Sequence, residues 1–452
     1  MNMNMNMKTK RSNLQNYQII QRGPDGYADV PYCGAIGKEL SEDEGIIVRV
    51  IRETDNLTVL PWQECKVSRK AGETAWDTVL HLPEGGLYRV EATVLPRGGN
   101  REWSSRIDCV YHIGVGDIYV MAGQSNMTGY GRDNAFDPPR LGVHSFTRAG
   151  EWAVAAHPLC DSLDSPYGYD EFNSGTSPAL SFARRLSDAL GVPVGLIPAA
   201  IGGTLLRQWD PDENGFCYSR MCAMLRDAGA FRGMLWFQGC SDANRENSGT
   251  YYTRFCRIVS QWRDRFGDFP LLTVQLNRWA GDGEGVESDR EWGTIRDAQR
   301  LAALTLPNVS IVPALDLPMS DGIHDGSAAN VVIGQRLADT ALQEIYHKVG
   351  QCAPSILSAE RKDATHVILR LTPGHSVWAM DDIAFGMNVE DEGGLIDCTT
   401  AYAGPDCLTV ETARPFGDGA RFHYAWRKHT PLFPARDSYG MPLLACYGVE
   451  IR

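Results

Sequence analysis

Four apolar runs between Val115 and Lys348 each stop at a short polar loop, and this repetition leaves few architectures open to the chain. The first run, DIYVMAGQSNM, spans Asp117 to Met127 and ends in Gly123-Gln124-Ser125-Asn126. The second, PVGLIPAAIGGTLLRQW, carries a buried-type strand from Pro193 to Ala200 before Gly202-Gly203-Thr204. The third, GMLWFQGCSDAN, runs from Gly233 to Phe237 before Gln238-Gly239-Cys240-Ser241-Asp242. The fourth, VSIVPALDLPMSDGIHDG, ends with Asp321 three positions before His324. Helical segments separate the runs, and strands alternating with helices predict a parallel sheet between helical layers. Ligands bind such sheets at the carboxyl ends of the strands. One loop alone reads as a tight turn; four of them in one α/β stretch read as a site.

The residue types point to chemistry. A serine after one strand and an Asp-x-x-His after another are the parts of a nucleophilic hydrolase. A short turn lets Asp321 reach one imidazole nitrogen of His324 while the other faces Ser125. Gly202 or Gly203 lets the backbone approach a ligand and aim an N–H at it, and Gln238 offers a side-chain N–H toward the same point. Taken singly, a serine after a strand is a turn residue or a helix N-cap. Asp-x-x-His also recurs at Asp363 to His366, but that copy runs into the alternating strand VILRL with no Gly-rich loop beside it and reads as a solvated turn. Gly-x-Ser-x-Gly is absent because Met127 occupies its last position, which excludes the nucleophile elbow of α/β-hydrolases. Nothing nearby in sequence is placed to activate Cys240 as an alternative nucleophile.

Gly-Gln-Ser-Asn-Met, the Gly-Gly-Thr loop, Trp-Phe-Gln-Gly-x-x-Asp and Asp-x-x-His resemble the ordered blocks of SGNH hydrolases. The branch is the carbohydrate esterases that include sialate O-acetylesterases and acetylxylan esterases. The resemblance is strongest from about Gly116 to Tyr346. It is weaker in the closing segment HYAWRKHTPLFPARDSYGMPLLACYGVEI, which is similar to that of sialate O-acetylesterases. It implies a serine esterase with Ser125, Asp321 and His324 as catalytic residues, and an oxyanion hole of Ser125, Gly202 and Gln238. It also singles out Gly202, where the residues alone leave Gly202 and Gly203 open. The family pattern has Gln-Gly-Glu in its third block, and this chain has Cys240 in place of the glutamate. That glutamate assists the histidine in some relatives, so its loss puts the weight on Asp321.

The rest of the sequence frames this centre. A chain of 452 residues is too long for one core. We read a polar, disordered tail over 1–16, a β-sandwich domain over 17–113, the α/β domain over 114–350 and a C-terminal β domain, again sandwich-like, over 351–452. In the first β region GIIVRVIR, TAWDTVLHL and GLYRVEATVL are strands separated by turn residues. In the α/β region Tyr251, Phe255, Ile258, Val259 and Trp262 form one apolar helical face. Thr176-Ser177-Pro178 opens another helix, ALSFARRL. A third follows His324, roughly from Ala328 to Tyr346. A net charge of −13 argues against nucleic acid or an anionic membrane as partner. The start MNMNMNMKTKRSNLQ lacks an apolar signal core, and the twelve cysteines show no Cys-x-x-Cys pair and no zinc spacing. Reduced thiols and a cytoplasmic location are the expectation.

The expected function is removal of O-acetyl groups from a carbohydrate, with sialate ahead of xylan because of the closing segment. No metal or organic cofactor is required. Arg207, Trp209 and Asn277 sit just beyond strand ends and are candidates to line a sugar site, an arginine suiting a sialate carboxylate. The alternative from another class is a glycan-binding protein on an esterase scaffold, with catalysis weakened at Cys240.

Overall fold

The computed structural model describes residues 9–10, 12–95, 100, 102, 104–161, 165–168, 174–281, 286–430 and 433–452. Its central sheet runs in the order Trp152–Val154, Val143–Phe146, Val194–Pro198, Arg106–Gly123, Gly233–Phe237, Leu271–Val274, Val309–Val312. Every neighbouring pair is parallel except the edge pair made by Trp152–Val154. Helices cover both faces. Phe216–Ala228, Tyr251–Phe266 and Val286–Thr305 pack on one, Pro178–Leu190 and Ser327–Glu344 on the other. This is the parallel sheet between helical layers that the sequence predicts.

Local sequence accounts for the helices. Ser177 caps Pro178–Leu190 by accepting from the Ala179 N–H, with proline at a first-turn position where its missing N–H costs nothing. Tyr251, Phe255, Ile258, Val259 and Trp262 are the buried residues of Tyr251–Phe266. Each contributes roughly 1.5–3 kcal/mol by leaving water.

The N-terminal sandwich and the central sheet share a strand. Residues Arg106–Gly123 form one continuous 18-residue strand. Its first half pairs antiparallel with Gly85–Leu95, and its second half pairs parallel with Val194–Pro198 and Gly233–Phe237. The boundary expected at 113/114 therefore falls inside a strand. Gly114 and Gly116, which break the apolar pattern there, mark close packing: a Cβ on Gly116 would strike the Pro193 backbone. Asp117, fully buried, fastens the same place, accepting from Gln21, Arg22, Arg232 and Tyr346.

The described residues of the tail expected over 1–16 are ordered against the sandwich. Thr9–Lys10 pair with Tyr27–Ile36, the Asn13 N–H donates to the Cys33 carbonyl, and Leu14 is buried in the sandwich core. Residues 1–8 and 11 lie outside the described residues. The C-terminal domain is a seven-stranded antiparallel sheet that curls until its ends meet. Arg361 and Arg452 N–H groups bond across from the first strand to the chain's last residues, so the sheet is barrel-like and nearly closed. Buried Arg296, on Val286–Thr305, ties this domain to the central one by donating to the carbonyls of Leu276, Asn277, Ala425 and Arg427. No helix among the described residues is long and apolar enough to cross a membrane.

Candidate active site

The strand Arg106–Gly123 delivers Ser125 to the carboxyl edge of the sheet. The Gln124 N–H still pairs with the Phe237 carbonyl, and Gly123 sits at φ +126, where a side chain would collide with the Phe237 backbone. The chain then closes a single helical turn, Ser125–Thr128. Ser125 opens that turn, so its own N–H lies ahead of the intrahelical hydrogen bonds. Gln124, unassigned from sequence, holds the third loop in place: its Oε1 accepts from the N–H groups of Gly239 and Ser241.

His324 arrives from the loop after Val309–Val312. The turn carrying it is held internally. Asp321 Oδ1 accepts from the Ile323 and His324 N–H groups, and the Ser320 N–H donates to the His324 carbonyl. The ring then bridges two side chains, with Nδ1 at 2.7 Å from Asp321 Oδ2 and Nε2 at 2.9 Å from Ser125 Oγ. Burial opposes ionisation of Asp321. Hydrogen bonds from the Ile323 N–H, the His324 ring and the His324 N–H outweigh it and hold the carboxyl below its ordinary range. A hydroxyl bonded to an imidazole whose other nitrogen faces a carboxylate can lose its proton as it attacks an acyl carbon. The Tyr130 ring stacks on the His324 ring at 4.7 Å between centroids, a contact the sequence did not signal.

The second Asp-x-x-His forms the same local turn. Asp363 Oδ1 accepts from the Thr365 and His366 N–H groups and from His366 Nδ1. It stands at the head of the C-terminal strand His366–Leu371, in another domain from Ser125.

Gly202 lies beside the Ser125 turn, since the preceding Ile201 N–H donates to the Gly123 carbonyl. Gly203 is the residue of the pair at positive φ, +68. Three other expectations are corrected. Gln238 is fully buried and its amide is committed: Nε2 donates to the Thr204 carbonyl at 3.0 Å and to Asp242 Oδ2 at 2.6 Å, while Oε1 accepts from the Tyr251 hydroxyl. It braces the loops and offers no donor to an oxyanion. Trp209 is fully buried in edge-to-face contact with Trp236 and Trp262, its Nε1 bonded to Thr204. Trp209→Ala is expected to cost about 3–5 kcal/mol of stability, read by denaturant unfolding, with little change in KM. Asn277 is also fully buried and donates to the Ile323 carbonyl at 3.0 Å, so it holds the His324 loop and does not face a sugar. Arg207 alone of the three sugar-site candidates is exposed.

The Cys240 thiol lies between the amides of Asn126 and Asn277, 3.9 Å from each. Burial, with help from the nearby Asp325 charge, pushes it far above the ordinary thiol range, which rules it out as a ready thiolate. Asp242, the other acid in that loop, is bonded to the Leu206 N–H and to Gln238. Asp321 is thus the one carboxylate hydrogen-bonded to His324 among the described residues.

Asp325 follows His324 and is fully buried. Burial pushes its carboxyl from 3.8 up to about 7. The folded state therefore holds a proton there that the unfolded chain has already released. Stability from this group is complete at low pH, falls as pH rises from about 4 and levels off above about 7. Asp325→Asn is expected to flatten that slope and to raise the melting temperature above pH 7 by several degrees relative to wild type. Thermal melts from pH 5 to 8 check this, and identical slopes for the two proteins would sink it.

The model of the family "carbohydrate esterase, sialic acid-specific acetylesterase" matches residues 115–343, just over half of the chain and the whole of the site. The chain belongs to this family. Sialate O-acetylesterase of Pongo abelii is 24% identical over 361 residues, covering 68% of this chain and 64% of that protein. The Homo sapiens sialate O-acetylesterase is 24% identical over 305 residues, covering 55% and 56%. The chain thus spans less than two thirds of the length of these two relatives. Among solved structures, a carbohydrate acetylesterase of Xanthomonas citri superimposes with a TM-score of 0.68 over 97% of this chain and 98% of that one, at 21% identity. At that identity the likeness concerns the fold, and it extends through both β domains.

Proposed function

We propose that this chain is a serine esterase that removes O-acetyl groups from carbohydrate, with O-acetylated sialate as its substrate. The observation that carries the reading is the single imidazole of His324 bonded to both Ser125 Oγ and Asp321. Ser125 Oγ attacks the acetyl carbonyl carbon and gives its proton to His324 Nε2. The carbonyl oxygen becomes an oxyanion facing the backbone N–H groups of Ser125 and Gly202, each worth on the order of 3 kcal/mol in the transition state. As the intermediate collapses, His324 returns the proton to the leaving sugar oxygen and acetyl-Ser125 remains. Water, deprotonated by the same imidazole, then releases acetate. A complete relay of this kind favours turnover over mere retention of a glycan.

The acidic sugar is supported by Arg132. It is exposed, makes no ion pair among the described residues, and lies over the Tyr130 ring at 5.2 Å, with that ring stacked on His324. An unpaired guanidinium one ring away from the reacting serine suits a carboxylate. The test is acetate release from a panel of O-acetylated sialates and O-acetylated neutral xylosides. Sialates are expected to show the higher kcat/KM. Arg132→Ala is expected to raise KM for the sialates by about tenfold while leaving the neutral esters unchanged. Preference for the neutral esters would overturn the substrate, and no release from any acetyl ester would overturn the activity.

A further inference from the structure

We infer that Asn126 is the positioning residue that sets His324 against Ser125. The inference rests on the proposed esterase mechanism and adds a component to it. Asn126 is 1% exposed and follows the nucleophile directly. Its side-chain amide reaches across to the other loop and grips the backbone on both sides of His324. Oδ1 accepts from the Asp325 N–H at 3.0 Å, and Nδ2 donates to the Ile323 carbonyl at 3.2 Å. A carboxamide bonded to the carbonyl before a residue and the N–H after it copies the pairing of a neighbouring β-strand, and it fixes both the distance and the tilt of the residue between.

The geometry divides the work. Asp321, Ile323 and His324 form a self-contained turn, because Asp321 binds the ring and two N–H groups of its own loop. That turn sets the tautomer without help from the serine's loop. What it does not set is where the ring stands relative to Ser125, nearly two hundred residues away in sequence. The Asn126 amide supplies that setting. Asn277 assists from the neighbouring strand end by donating to the same Ile323 carbonyl, but it does not touch the Asp325 N–H. A displacement of about 1 Å between nucleophile and base costs on the order of 100-fold in rate.

The test compares Asn126→Ala with Ser125→Ala and wild type on an acetyl ester. Ser125→Ala is the control on the mechanism itself: if it retains turnover, the serine-esterase reading fails, independently of Asn126. With Ser125→Ala inactive, Asn126→Ala is expected to lower kcat about 100-fold with KM within about twofold. Labelling of Ser125 by a fluorophosphonate is expected to slow in the same proportion. The acid limb of the pH–rate profile is expected to keep its wild-type position, because the His324–Asp321 turn is untouched. Asn126→Asp, which keeps the size and the acceptor but removes the donor, is expected to lose at least fivefold in kcat, and it decides the matter if the alanine variant does not fold. A kcat within threefold of wild type in the folded variant, a loss confined to KM, or a displaced acid limb would each overturn the inference.

Discussion

Ser125→Ala is expected to lower acetate release by about 10⁴-fold or more while leaving the melting temperature within a few degrees of wild type. The expected loss is large because in the proposed mechanism the hydroxyl is the atom that forms the acyl-enzyme, and the neighbouring thiol cannot replace it. Cys240 is the only thiol in the adjoining loop, and burial keeps it protonated. The fold is expected to survive because the serine hydroxyl bonds His324 and does not hold the turn together. That turn is closed by backbone bonds, from Met127 and Thr128 N–H to the Gln124 carbonyl and from Gly129 N–H to the Ser125 carbonyl. The check is steady-state acetate release beside a thermal melt. Substantial turnover in a folded Ser125→Ala protein would remove the serine mechanism.

The second large effect is expected at Asp321. An amide at this position keeps an oxygen for the Ile323 and His324 N–H groups, so the turn survives. It then presents an NH₂ to His324 Nδ1 where a carboxylate stood. Nδ1 must accept, which moves the ring proton to Nε2, the nitrogen facing Ser125. A protonated Nε2 cannot take the serine's proton. Asp321→Asn is therefore expected to cost about 10³–10⁴-fold in kcat, close to the cost of His324→Ala. Cys240 supplies no second acid at the position where the resemblance implies a glutamate, and Asp242 is already bonded to Gln238 and Leu206. Asp363→Asn, which alters an identical local turn in the C-terminal domain, is expected to leave kcat within about twofold of wild type. A near-normal rate for Asp321→Asn would show that another acid serves His324.

The two Asp-x-x-His turns show what a sequence can and cannot dictate here. Both form the turn their spacing predicts, because aspartate caps the N–H groups two and three positions on. The choice between them came from context, since only the first ends an apolar strand of the α/β stretch. The four loops converged on one edge for the same reason, and the buried face of Tyr251–Phe266 followed from its period. Side-chain direction at strand ends was not legible. Gln238, Trp209 and Asn277 occupy the right positions for a site, yet the packing of neighbouring loops turns each inward, and no local pattern separates a bracing amide from a substrate-facing one. Asn126 lay inside the motif that drew attention to Ser125; its partners are near residue 324 and only tertiary contact reveals them. The domain boundary was misplaced for a different reason. The patterning changes from β runs to alternating strands and helices near residue 114, yet one strand carries the chain through that change, with Gly114 and Gly116 packed closely on Pro193.

The shared strand Arg106–Gly123 makes the N-terminal sandwich and the catalytic sheet one cooperative unit. Neither sheet can lose its pairing without fraying a strand of the other, so the two are expected to melt in a single transition. The sandwich is thereby denied the role of a swinging lid, because a hinge would have to bend a strand paired on both halves of its length. A shortened protein beginning near residue 114 would not be a minimal esterase. It would expose the unpaired flank of the very strand that carries Ser125, and its failure to turn over substrate would reflect a torn sheet rather than a missing catalytic group.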